Sequence, residues 1–348
     1  MRTDPQNGQN AARTGRLRTA VTWIGTVVLL GLLALTTDLE KAWAAFEQAD
    51  HLLLPVSIVG FTLATWLVDT ATTRVLLGYC GIRVPFNEFA RIKGASYLLN
   101  VINYNLALVM MAAVVKRRTD RGWGSAGSPF IALNFLDLSG MAVQAFGGFA
   151  MAGVLPQLGA TGTAILLTIA AGGLLAPPIL AVLSRIENAP GFLGRLLRHD
   201  LFSAFRALTA GRIAAIVVLR ACFISLYVMQ TWMNLKAFHI DVPLDDAFVF
   251  NPILGLVGFI PISVSGIGTT QFLARGFFGP FVPVDPTLAG EAATRAMHAT
   301  VDAYSTAAIA GGLLTRAAIG VICMPYVARL RKGGSVEAAE PPGNGATA

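Results

Sequence analysis

Long apolar runs separated by short polar connectors dominate this chain. Runs near 19–36, 52–73, 128–153, 160–183, 211–233 and 303–328 reach or approach the ~20 residues that a helix needs to cross a hydrocarbon core of ~30 Å. They are continuous rather than alternating. Only helices and closed barrels satisfy their backbone hydrogen bonds in lipid, so the pattern predicts helices. Two further apolar segments break the pattern. Segment 94–115 has Asn100, Asn103 and Asn105 in its middle, and segment 247–282 contains Pro252, Gly255, Gly258, Pro261, Gly266 and Gly268. That many helix breakers predict two half-helices joined by a turn at 263–268.

Charge sharpens this picture. Of the 26 lysines and arginines, 20 lie at the N-terminus, in 74–93, 116–127 and 184–212, and in the tail. By contrast, 37–51 and 234–246 are acidic. The positive-inside rule puts the five basic groups in the cytoplasm and the acidic loops outside, with both termini cytoplasmic. Segment 94–115 has basic groups at both ends, so spanning would strand four cations on the wrong side. A re-entrant hairpin removes the conflict. Segment 247–282 is its counterpart from the outer face. Two broken segments entering from opposite faces suggest an inverted repeat with a site at its interface; eight ordinary spans are the alternative.

Composition agrees. The 348 residues are 55% apolar and 13% charged, against about 25% charged in soluble domains, and mean hydropathy is +0.64. The expected fold class is all-α, a polytopic helical membrane protein with six to eight spans. Residues 1–18 read as a basic cytoplasmic N-terminus, 19–330 as one membrane domain and 331–348 as a disordered tail rich in Gly, Pro, Ala and Glu. The run at 19–36 is longer than a signal-peptide core despite Ala42-Trp43-Ala44, so it reads as an uncleaved span. Residues 190–208 alternate leucines and arginines at helical spacing, as an interfacial anchor would.

The net charge of +7 does not indicate nucleic acid, because the cations occupy short loops. Cys80, Cys222 and Cys323 form no CxxC pair, the four histidines have no metal-ligand spacing, and no ATP-binding motif occurs, so no cofactor is expected. Membrane lipids are the expected partners, with envelope-synthesis enzymes as further candidates.

Ionisable residues inside spans each cost about 2.5–3.5 kcal/mol at mid-bilayer on insertion scales, so they carry a partner or a purpose. Asp137 and Arg220 both lie roughly 13 Å into their spans at 1.5 Å per residue, which predicts a pair or a shared polar cavity. Arg316 lies within the last span, where Gly311, Gly312 and Gly320 would permit a break. Arg275 lies in the second half-helix. Either arginine could fork onto a lipid phosphate or serve structure alone. Glu291, Arg295, His298, Asp302 and Ser305 share one helical face, either an external polar face or a cavity lining. In the turn Pro261–Gln271, Gly266 and Gly268 allow close backbone approach. A half-helix beginning near Thr269 would aim free N–H groups at an anion, and Ser263 and Ser265 would add hydroxyls.

On these residues the chain, over about 20–330, resembles the membrane region of the lysylphosphatidylglycerol synthase family, also described as flippase-like integral membrane proteins. The family's Pro-rich Gly-x-Gly turn is matched by Pro261–Thr270, its early Gly…Asn motif by Gly94 and Asn100, its span aspartate by Asp137, and its late arginine by Arg316. Gln271 stands where an acid is usual, and Tyr104-Asn105 where a Pro-Gly-like turn is typical. The resemblance implies a lipid translocase without the soluble domain that performs aminoacyl transfer, since no polar connector has room for one. The headgroup site would comprise Asn100, Asp137, Arg220, Ser263, Ser265, Gly266, Gly268, Thr269, Arg275 and Arg316. The chain is not expected to be an enzyme. The alternative is an intramembrane enzyme or a scaffold in lipid-linked glycan or envelope lipid synthesis.

Overall fold

A computed structural model of the chain describes residues 39–102, 104–119, 121–152, 159–186, 199–258 and 269–332. The span expected at 19–36, the turn at 263–268 and the tail from 333 lie outside the described residues. Among the described residues, eleven α-helices and two short 3₁₀ turns occur and no strand. In order they are α1 (Leu39–Glu47), α2 (Leu53–Tyr79), α3 (Phe86–Ile102), α4 (Tyr104–Thr119), α5 (Trp123–Ala152), α6 (Gly159–Leu183), α7 (Ser203–Ala207), α8 (Ala210–Ala237), α9 (Leu244–Gly258), α10 (Thr269–Phe278) and α11 (Glu291–Lys332). The helices α2, α5, α8 and α11 are long and apolar enough to cross a membrane. The protein is a multi-pass, all-helical membrane protein.

The two ends sort by charge. At the acidic end the Asp50 N–H donates to the Ala237 carbonyl at 2.8 Å, and the Phe46 and Phe238 rings lie 6.4 Å apart. There Asp50 starts α2 by accepting from the N–H groups of Leu52 and Leu53 at 2.9 and 2.8 Å. The Leu53 and Leu52 N–H groups hold its carboxyl below the usual range. At the basic end Arg74 donates to the Val84 carbonyl at 3.0 Å, and the Arg212 guanidinium lies 5.1 Å from the Tyr79 ring centre.

Helices α3 and α4 form a hairpin rather than a span. The Arg118 guanidinium near the end of α4 grips Glu88 at the start of α3, so both feet stand at the basic end. Met111, Ala112 and Val115 pack with Phe89 and Ile92 between the legs. Helices α9 and α10 make the matching hairpin at the acidic end, where Phe250 stacks on Phe277 at 4.7 Å and 11°.

The sequence of elements α2, α3–α4 hairpin, α5 recurs as α8, α9–α10 hairpin, α11 in the opposite sense. Packing follows the same symmetry: α3 lies along α11, α9 along α5, and α2 against α8. Small residues let these pairs close. A Cβ on Gly94 would come within 2.5 Å of Cys323 Sγ, and one on Gly140 within 3.0 Å of Arg220 Cβ.

Two expectations differ from the structure. Helix α11 runs unbroken through Gly311, Gly312 and Arg316, because Gly311 and Gly320 press against Ile58 and Leu98, and that packing outweighs their weak helix preference. In the described part of 190–208, Phe205 and Leu208 are fully buried against Leu76, Leu133, Leu136 and Ile216 rather than lying on the interface.

Candidate functional site

The centre of the molecule holds four charged side chains from four helices. Asp69 is on α2, Lys93 on α3, Asp137 on α5 and Arg220 on α8, and each is buried. The Lys93 ammonium sits 2.8 Å from one Asp69 oxygen, and Arg220 Nη1 donates to the other at 2.7 Å. The Arg220 Nε faces Asp137 and completes the chain. Two cations and two carboxylates sum to zero, the condition under which burial is tolerable. Position along the helices explains the meeting. Asp69 lies ten residues before Tyr79, and Arg220 ten residues after Ala210, both about 15 Å from the basic end at 1.5 Å per residue.

Toward the acidic end an aromatic ladder leaves the tetrad. The Arg220 guanidinium lies 3.9 Å from the Phe223 ring centre, and Phe223 meets Tyr227 edge-on at 5.0 Å. The Tyr227 hydroxyl accepts from Arg316 Nη2 at 3.1 Å. Tyr97, one turn beyond Lys93, is also buried. Arg316 is half-buried on α11, and among the described residues it forms no ion pair. It lies ten residues before Tyr326, whose hydroxyl contacts Glu88 at the basic end, so it is about 15 Å deep.

A family model for the lysylphosphatidylglycerol synthase TM region matches residues 22–329. This chain belongs to the lysylphosphatidylglycerol synthase transmembrane family. No curated protein and no solved structure matches the chain. Membership makes it an integral membrane protein of a lipid-related family, in contact with membrane lipids.

Within this family member, the expected site residues do not gather in one place. Asp137 and Arg220 pair as their depths predicted. Arg316 lies nearby, beyond the ladder. Asn100 is half-buried, two turns past Lys93 on α3. Arg275 is elsewhere: its Nε and Nη2 fork onto Asp302 at 2.8 and 2.6 Å, between α10 and α11. Thr269 opens α10. Ser263, Ser265, Gly266 and Gly268 lie outside the described residues. Gln271 is buried and donates to the Thr306 hydroxyl at 3.4 Å. The polar face of α11 is divided, with Glu291 and Arg295 exposed and Asp302 and Ser305 buried.

Two members of the tetrad were not among the expected residues. Lys93 reads in sequence as a loop cation, because it neighbours Arg91. Asp69 lies inside an apolar run, and the rule that singled out Asp137 applies to it equally.

Proposed function

We propose that this protein is a lipid translocase. It moves an anionic or modified phospholipid, or a similar amphiphile, across the inner membrane, with both termini cytoplasmic. The observation that carries this reading is Arg316. The tetrad beside it is already neutral, and among the described residues Arg316 forms no ion pair, so it adds a positive charge within the bilayer, met by the Tyr227 hydroxyl and ring. Such a charge is costly unless an anion visits it. Its planar fork suits two phosphate oxygens, while the lipid tails stay in hydrocarbon. The repeated span–hairpin–span arrangement supports alternating exposure of one site to two faces. With no ATP-binding motif, movement runs downhill or is coupled to an ion gradient. On this reading no bond is made or broken.

The test is reconstitution with a fluorescent anionic phospholipid in liposomes, followed by dithionite quenching of the outer leaflet. The expected result is quenching beyond the outer-leaflet half, lost in Arg316→Ala and partly kept in Arg316→Lys. Quenching equal to that of empty liposomes would overturn the reading. Product formed from lipid by the purified protein would favour the enzyme alternative.

A further inference from the structure

The geometry points to a second anionic-lipid site, at the basic end: a pocket lined by Ala113, Lys116, Arg117, Arg121 and Trp123 takes the phosphate of a phospholipid from the basic-side leaflet. The pocket has a volume of about 440 Å³ and lies where α4 ends and α5 begins. Three of its five lining residues are cations and none is acidic. Their neighbour Arg118 is neutralised by Glu88, whereas among the described residues Lys116, Arg117 and Arg121 form no ion pair. Asp120 lies outside the described residues. The Lys116 ammonium rests 4.7 Å from the centre of the Trp123 ring, which is 54% exposed. A tryptophan at this level suits the headgroup zone, where one edge meets water and the other lipid.

A second feature separates a lipid from free phosphate. On α4 the exposed Leu106 and Val109 precede Ala113 and Lys116 at steps of three, four and three, so they share one helical face. This stripe leads from the pocket into the membrane. From Leu106 to Lys116 it runs about 15 Å at 1.5 Å per residue, the hydrocarbon depth of one leaflet. A bound lipid sets its phosphate among the cations and lays one acyl chain along the stripe. The site is separate from Arg316, so it stands or falls independently of the transport reading.

Native mass spectrometry of the full chain in detergent tests it, with added dioleoyl phosphatidylglycerol, dioleoyl phosphatidylcholine or glycerol phosphate. Phosphatidylglycerol should be retained in preference to both others. Each cation near the surface contributes ~1 kcal/mol, so Arg117→Gln or Arg121→Gln should weaken retention about fivefold. The Lys116→Gln/Arg117→Gln/Arg121→Gln variant should weaken it more than tenfold. Arg212→Gln, a basic-end cation outside the pocket, should leave it unchanged. Val109→Ser should weaken phosphatidylglycerol and not glycerol phosphate. Equal retention of the two lipids, undiminished binding in the folded single variants, or glycerol phosphate held as tightly as phosphatidylglycerol would each overturn the proposal.

Discussion

The tetrad and Arg316 lie at similar depth and share an aromatic ladder, yet they are built on opposite principles. In the tetrad every charge has a counter-charge: Lys93 and Arg220 on Asp69, and Arg220 on Asp137. Arg316 forms no ion pair among the described residues and rests on Tyr227. A closed, neutral set holds helices α2, α3, α5 and α8 together and leaves little free charge for a ligand. A lone cation does little for packing and retains its capacity to bind. On the proposed reading, depth in the bilayer alone does not single out a binding residue; the local charge balance does.

That contrast can be broken at several points. The largest effect should come from Arg220→Ala, which leaves Asp137 without its counter-charge. Removing one partner of a buried pair costs about 3–5 kcal/mol. Thermal unfolding in detergent should fall sharply, or the protein should elute as aggregate. Asp137→Asn should be milder, because the Arg220 charge keeps Asp69. Next comes Gly94→Ala, where the added carbon meets Cys323 Sγ and separates α3 from α11. Overpacking of this kind costs about 1–3 kcal/mol, and Gly94→Ala/Cys323→Ala should recover most of it. Ser57→Ala, which leaves the Asn234 side-chain oxygen without its donor, should cost roughly 1 kcal/mol. Smallest for stability is Arg316→Gln, with a melting temperature near wild type and transport abolished. If Arg316→Gln unfolds the protein while Arg220→Ala leaves it intact, the assignment of binding and structural roles is reversed.

The same contrast explains how much of the candidate site was legible in the sequence. Charges within apolar runs stand out, so Asp137, Arg220 and Arg316 could be singled out, and equal depth was enough to expect that the first two pair or share one polar cavity. Lys93 was hidden because basic residues at a segment's edge satisfy the topology rule wherever their side chains point. Its ammonium turns inward because Asp69 is there to receive it. Arg275 shows the converse. It looked like a headgroup cation, but its partner Asp302 is 27 residues away on a face that sequence could place either outside or inside. No spacing within one helix predicts which helix lies opposite.

For the fold, apolar run length and loop charge by themselves indicated the long helices among the described residues and the separation of an acidic from a basic end, because the cost of burying polar backbone and stranded cations is set segment by segment. Both hairpins were also implied this way, one by cations at its two feet and the other by its prolines and glycines. Only the tertiary structure decided that each hairpin packs on the far span of the opposite repeat, that α11 stays continuous through its glycines, and which buried charges cancel. Those outcomes depend on side chains meeting across helices distant in sequence, where ångström-scale fit and local charge balance, not composition, set the energy.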